Sequence, residues 1–248
     1  MHSIETRQRA LALVRSGAND CEVARALGVP RSTVRDWRRD ASRPRPGDAP
    51  PRCPRCWRRT RLTAPTDADY AELLGLYLGD GCIGRAGRAH VLRISLDAAY
   101  GGIVEDVRGL IARCFPAKRV GEVRADDGAT VVLSVSSSHM ACLFPQHGAG
   151  KKHERPIVLE PWQQRCIEGA PWAFLRGCFR ADGCVFVNRT GRYEYVSYDF
   201  RNRSSDILDL FSAACDLVGV EHRRYAERIR VYRRASVALL MDEIGVKR

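Results

Sequence analysis

The stretch LLGLYLGDG at 73–81 returns as LRGCFRADG at 175–183, in register and 102 positions later. Leu73 aligns with Leu175, Gly75 with Gly177, Tyr77 with Phe179, Gly79 with Ala181, Asp80 with Asp182, Gly81 with Gly183 and Cys82 with Cys184. The correspondence continues downstream. The alternating segment RAHVLRISL (88–96) is answered by RYEYVSYDF (192–200), and the amphipathic IVEDVRGLIARCF (103–115) by ILDLFSAACDLVG (207–219). TVVLSV (130–135) then parallels ERIRVY (227–232), and HMACLF parallels VALLMDEI as a closing helix. A repeat of this length constrains the fold to two similar subdomains about a pseudo-twofold axis, each reading helix, strands, helix, strands, helix. The expected organisation is α+β, with subdomains at 66–150 and 151–248.

The motif raises an electrostatic problem. An aspartate at the C-terminal end of an apolar helix faces the negative end of the helix dipole. Gly75 and Gly79 lie four residues apart on one helix face, as do Gly177 and Ala181, so two helix backbones can approach closely there. Gly81 and Gly183 are expected in the left-handed conformation that ends a helix. Asp80 and Asp182 then emerge side by side and repel one another. A divalent cation with oxygen ligands, of the magnesium type, is the natural compensation.

The paired motif in its αββαββα context resembles the LAGLIDADG family of homing endonucleases, in the single-chain form with two motifs. The resemblance covers roughly residues 66–246. It implies that the motif helices form the subdomain interface and that Asp80 and Asp182 hold the catalytic metal, Mg²⁺ or Mn²⁺ in its place. The carbonyls of Gly79 and Ala181 would join the coordination. It also implies staggered cutting of duplex DNA across the minor groove, with short 3′ overhangs. Arg176 and Arg180 depart from the pattern by making the second helix more basic, and are expected to stay exposed, away from Gly177.

The first forty residues are different in kind. SIETRQRALALVRSG (3–17) has a helical rhythm, NDCEVARALG (19–28) follows with an Asn or Asp cap, and VPRSTVRDWRRD carries Val34 and Trp37 inward with Ser32 as a cap. Ala24 and Gly28 are expected where the helices cross closely, with Val29 and Val34 sealing a small core. This is a helix-turn-helix at 1–41, and it resembles the transposase and resolvase types. Arg31, Thr33, Arg35, Arg38 and Arg39 lie on the exposed face of its second helix, suited to a major groove.

Between the two parts, 42–65 is a basic linker rich in proline and arginine, with Cys53 and Cys56 at the spacing of zinc ligands. No second pair follows at conventional distance, so zinc there needs ligands from elsewhere. The net charge of +12 fits a polyanionic partner, foremost nucleic acid. The opening MHSIETRQRA lacks the apolar stretch of a signal peptide, no apolar run reaches the roughly 18–20 residues of a membrane span, and ten cysteines without a secretion signal are expected to be reduced. The expected setting is cytoplasmic, without a membrane partner.

The strands offer a reading surface for DNA. Leu92, Ile94 and Leu96 face one way, leaving Arg93 and Ser95 on the other; Val196, Tyr198 and Phe200 oppose Ser197, Asp199 and Arg201; Ile229 and Val231 oppose Arg228, Arg230 and Tyr232. Arg93, Arg201, Arg228 and Arg230 are therefore the expected contacts to a long duplex site. In the joining segment GKKHERP (150–156), Lys152 is the candidate to stabilise a transition state or order a water, and a solvated linker is the plain alternative. Two function classes follow. One is a site-specific, metal-dependent DNA endonuclease acting as a monomer. The other is a non-cleaving transcriptional regulator combining the same domain with a helix-turn-helix. The presence of both aspartates favours the nuclease.

Overall fold

Three short helices begin the chain: α1 at Ile4–Arg15, α2 at Asp20–Leu27 and α3 at Arg31–Ala41. Asn19 starts α2 with a reciprocal cap, accepting from the Cys21 and Glu22 backbone amides while Glu22 accepts from its own. Ala10, Val23, Val29 and Val34 are buried together, with Leu13, Leu27 and Trp37 packed around them. Two expectations are corrected. Gly28 is not a crossing point: a Cβ there would meet nothing within 4 Å, and its φ of +63° shows that glycine is needed for a left-handed cap. Ser32 is not a cap either, because α3 opens at Arg31 and the Thr33 and Val34 amides bond to the Pro30 carbonyl.

The computed structural model describes residues 4–41, 65–87 and 89–247. The chain separates into two units, Met1–Arg52 and Cys53–Arg248. Cys53 and Cys56, and with them the zinc expectation, lie outside the described residues.

The second unit contains the repeat. Its first half runs α4 (Asp67–Leu78), β1 (Gly81–Ala86), β2 (Ala89–Asp97), α5 (Gly101–Cys114), β3 (Gly121–Ala125), β4 (Thr130–Ser137) and α6, a single turn at Met140–Leu143. A helix that the repeat did not announce, α7 (Pro161–Gly169), precedes the second half. That half runs α8 (Pro171–Asp182), β5 (Gly183–Thr190), β6 (Tyr193–Arg201), α9 (Ser205–Leu217), β7 (Arg223–Arg224), β8 (Arg228–Val231) and α10 (Arg234–Glu243). Each half makes one antiparallel sheet with the same strand order, β1-β2-β4-β3 and β5-β6-β8-β7. The α+β fold with duplicated αββαββα halves is therefore observed.

Helix α4 is buried at every position from Tyr70 to Leu78, which requires partners on all sides. Helix α8 is the main one. A Cβ on Gly75 would stand 2.5 Å from the Phe174 carbonyl oxygen, and one on Gly177 would overlap the Glu72 carbonyl. The small residues thus permit backbone-to-backbone contact, as the motif predicts. The next glycines act differently from expectation. Gly183 is extended (φ −90°, ψ 156°), and Gly81 is absent from the positive-φ glycines. A Cβ at Gly81 would lie 2.5 Å from Tyr77 Cα, and one at Gly183 would lie 2.6 Å from the Phe179 carbonyl oxygen. Glycine is needed because each first strand turns back tightly against the helix it leaves.

The inward faces are as the alternation predicts for Leu92, Ile94, Leu96, Tyr198, Phe200, Ile229 and Val231, all buried in one core with the helices. Val196 is exposed instead, because β8 is short and pairs only with Tyr198–Arg201, leaving the far end of the β5–β6 hairpin uncovered. Ser197 and Asp199 are buried on the face expected to be open. Among the described residues no helix is long and apolar enough to cross a membrane.

Candidate active site

Asp80 and Asp182 come together where α4 and α8 end side by side. A methyl placed on Gly79 would overlap Ala181 Cβ and lie 3.2 Å from Asp182 Oδ2. Asp182 is half-buried and accepts a hydrogen bond from Asn202 Nδ2 at 2.8 Å. Burial first, then repulsion from Asp80, pushes its carboxyl up to about 6, against the pull of Asn202, Lys152 and Lys247. Asp80 stands at the mouth of the site with more of its surface in water, yet the protein packed around its carboxyl also raises its pKa, opposed by Lys247 and Lys152.

The positive charge that this arrangement demands is present as two lysines. Lys152 Nζ donates to the carbonyls of Tyr77 at 2.5 Å, of Gly81 at 2.9 Å, and of Gly79. It thereby caps the carbonyl end of α4. Lys247 Nζ donates to the Ala181 carbonyl at 2.7 Å and caps α8 in the same way. Burial lowers the Lys152 pKa to about 8, with Asp182 and Asp80 holding it up, and lowers that of Lys247 for the same reason. Lys152 is a residue that the sequence points to; Lys247 is not. A signal existed: Gly150-Lys151-Lys152 and Gly245-Val246-Lys247 are the same Gly-x-Lys, with both glycines left-handed at φ +77° and +76°.

Open space adjoins each acid. A cavity of about 1030 Å³ is lined by Asp182, Lys152, Cys82, Arg201, Asn202 and Arg228, among others. A smaller one of about 390 Å³ is lined by Asp80, Asp97, Cys184, Arg180 and Lys247 among its walls. Each cysteine that follows a motif glycine therefore shares a cavity with the aspartate of the opposite half.

The arginines of α8, expected to stay exposed, are instead drawn into ion pairs. Arg180 donates to Glu72 at 2.6 Å and to Asp106 at 2.6 Å, and Arg176 approaches Glu72 at 3.5 Å. Glu72 itself is buried in α4. These ion pairs fasten α4 to α8 just behind the acid pair, a role that the sequence did not reveal.

The donor set accommodates a hard cation. It consists of oxygen alone: the carboxylates of Asp80 and Asp182 and the carbonyls of Gly79 and Ala181, whose second lone pairs are not used by the lysines. Among the described residues no group of three or more His, Cys, Asp or Glu could hold a metal.

Arg93 projects from β2 into solvent, while Arg201, Arg228 and Arg230 gather around Asp199 on β6 and β8. In the first unit, Arg31 and Arg35 are exposed and Thr33 is half-buried. Arg38 reaches Asp20 at 3.0 Å and Arg39 reaches Asp36 at 3.2 Å.

The fold has counterparts in solved structures. The homing endonuclease I-DmoI in complex with DNA and Mn aligns with a TM-score of 0.51 and 15% identity, over 73% of this chain and 97% of that one. The larger unit has the LAGLIDADG fold. Mesophilic variants of I-DmoI align at 0.50 and 16% identity, over 73% of this chain and 96% of theirs. The N-terminal LAGLIDADG domain of DUF199/WhiA aligns at 0.49 and 16% identity, over 76% and 88%. Residues 1–46 match the homeodomain-like domain family HTH_23. No curated protein matches the chain in sequence. A LAGLIDADG fold preceded by a helix-turn-helix is what the sequence led us to expect.

Proposed function

We propose that this chain is a site-specific endonuclease of double-stranded DNA. The observation that carries the reading is the convergence of Asp80 and Asp182 at the paired ends of α4 and α8, each beside a lysine from a repeated Gly-x-Lys. Two carboxylates that are costly to hold together, kept in register by duplicated elements, have a purpose if each serves one strand of a duplex.

Asp80 and Asp182 would hold Mg²⁺, or Mn²⁺ in its place, with the carbonyls of Gly79 and Ala181. When bound, the ion supplies charge relief at the scissile phosphate and lowers the pKa of an attacking water. In the step, the water oxygen gives up a proton to solvent and bonds to phosphorus as the P–O3′ bond breaks, and the leaving 3′ oxygen takes a proton from solvent. Lys152 carries its proton at neutral pH, in view of a pKa of about 8; its three N–H bonds are taken by carbonyls, and it is its charge that favours negative charge building on a nearby phosphate oxygen. Asn202 orients the Asp182 carboxylate. Arg201 and Arg228 line the same cavity and can guide the backbone toward it. Arg93 on the first sheet and Arg201, Arg228 and Arg230 on the second would contact a long target. Arg31, Thr33, Arg35, Arg38 and Arg39 on α3 would extend it. One chain supplies both acids, so a monomer suffices.

A second reading has one observation in its favour. Lys152 and Lys247 already place positive charge on the Gly79 and Ala181 carbonyls, so the fold is held without a cation, as a non-cleaving DNA-binding regulator would require. Incubating the full chain with a randomised duplex library and Mg²⁺, beside Asp80→Asn and Asp182→Asn, separates the two. Cuts at one discrete long sequence, lost in both variants, support the nuclease. Tight, specific binding with no cut under Mg²⁺ or Mn²⁺ supports the regulator.

A further inference from the structure

The polar face of the second sheet conceals a carboxylate. The Asp199 side chain on β6 is 0% exposed, and Ser197, two residues before it on the same face, is buried as well. Three arginines close over it. Arg201 Nε stands 3.3 Å and Arg228 Nη1 4.0 Å from Oδ2, and Arg230 Nε stands 3.5 Å from Oδ1. Burying an ionised carboxylate costs several kcal/mol unless cations compensate it. Here compensation exceeds the need, for three guanidinium groups share one anion and leave an excess of positive charge on the surface.

The geometry of this excess is specific. Arg201 and Arg230 both bring Nε nearest to Asp199, Arg201 as a hydrogen bond and Arg230 as a longer charge contact, so the acid engages each guanidinium through Nε and not through its Nη pair. Arg230 also lies over the Phe186 ring at 5.0 Å, and Arg228 over Tyr225 at 5.1 Å. A carboxylate at one edge and an aromatic ring against the face restrict side chains that would otherwise lose about 2 kcal/mol of rotamer entropy on docking. The Arg201 side chain is nonetheless 65% exposed. Arg201 is thus a preset fork available from outside, and Arg230 a more enclosed one, 24% exposed.

The first sheet lacks the device. Cys184 pairs with Asp199 across β5–β6, and Asp199 with Arg230 across β6–β8. The equivalent register in the first sheet pairs Cys82 with Arg93, and Arg93 with Ser134. Where one half has an arginine in solvent, the other has a buried acid that orients arginines from its own and the adjacent strand.

We propose that Asp199 is a positioning residue that fixes Arg201 and Arg230 as guanine-reading forks. The half-site under the second sheet is then anchored by guanines, and the half-site under the first is read more loosely. The inference rests on the proposed DNA binding and adds base identity to it. Guanine presents O6 and N7 as adjacent major-groove acceptors that a guanidinium meets with two bonds, whereas a phosphate contact carries no sequence.

The test is site selection from a randomised duplex library, with Ca²⁺ replacing Mg²⁺ so that binding is read without cutting. Wild type, Asp199→Asn and an Arg201→Lys/Arg230→Lys double variant are compared; the last keeps the charge, removes the fork and leaves the buried acid in place. Wild type is expected to select guanines at two or more positions confined to one half-site. Both variants are expected to relax those positions by about ten-fold each, with the opposite half-site unchanged. Guanine preference retained in the double variant would overturn the inference, as would a uniform loss across both half-sites. Wild type that selects no sequence would remove the DNA-binding reading itself, an outcome distinct from either.

Discussion

Lys247 stands to Ala181 as Lys152 stands to Gly79: each amine donates to the carbonyl of the residue before a motif aspartate. The two lysines neutralise the helix ends that would otherwise repel Asp80 and Asp182. Each also favours the ionised form of both acids. Removing one must therefore raise the acids further. Lys152→Met is expected to move the Asp182 titration above its midpoint of about 6, as followed by carbon NMR of labelled aspartate. An unmoved midpoint would mean that the lysine is only a helix cap. Under the proposed function the same variant also slows cleavage by about 10²-fold or more.

The helix pair has no room for a methyl group at its centre. A Cβ on Gly177 would run into the Glu72 backbone, and one on Gly75 into that of Phe174 and Cys178. Backbone cannot rotate aside as a side chain can. Gly177→Ala is expected to destabilise the second unit by about 3 kcal/mol, seen as a lower urea midpoint. The first unit has its own separate core, so Val23 and Val34 provide a control. A Gly177→Ala protein as stable as wild type would show that the helices are not in backbone contact.

How much of this was legible in the sequence depends on the kind of signal involved. The duplicated motif was readable because each copy constrains the interpretation of the other, and Gly75 opposite Gly177 follows from spacing on one helix face. The buried positions of Leu92, Ile94 and Leu96 follow from strand alternation. Alternation assigns a face but not its enclosure, and so it placed Asp199 outward without revealing the three arginines that cover it. Lys247 was overlooked because Gly-x-Lys carries no periodicity and gains meaning only when its glycine is seen to be left-handed. Arg180 was assigned to solvent because its partners, Glu72 and Asp106, are 108 and 74 residues away in the chain. Gly81 and Gly183 are not in the left-handed conformation that their place after a helix suggests; the close approach of Tyr77 and Phe179 is what excludes a side chain there.

Glu72 supplies a further prediction. It is a buried acid between Arg176 and Arg180, and its loss takes the buried partner from two partly buried cations, leaving Arg180 with Asp106 and Arg176 with the Glu243 carbonyl. Breaking one partner of such a pair costs about 3–5 kcal/mol, more than the intact pair contributes relative to an apolar replacement. Glu72→Ala is expected to lose stability on that scale, and the triple replacement Glu72→Leu/Arg176→Leu/Arg180→Met to recover much of it. Chemical denaturation of the three proteins distinguishes this from simple packing loss, for which the triple variant would be the worst.

The acid pair and its lysines also determine how stability responds to pH. Asp182 titrates near 6 in the fold against 3.8 for its ordinary value. Between those values the folded chain holds a proton that the unfolded chain has released, so stability falls as pH rises through the window. Lys152 titrates near 8 against 10.5. Over that range the unfolded chain binds more protons, so stability recovers as pH rises from about 8. The site is thus most costly to the fold between about pH 6 and 8. A divalent cation favours the ionised acids and competes with protons for them. Mg²⁺ is therefore expected to raise the melting temperature clearly at pH 7 and little at pH 5, and the increment should vanish in Asp80→Asn/Asp182→Asn. Equal increments at both pH values, or one that survives in the double variant, would place the ion elsewhere.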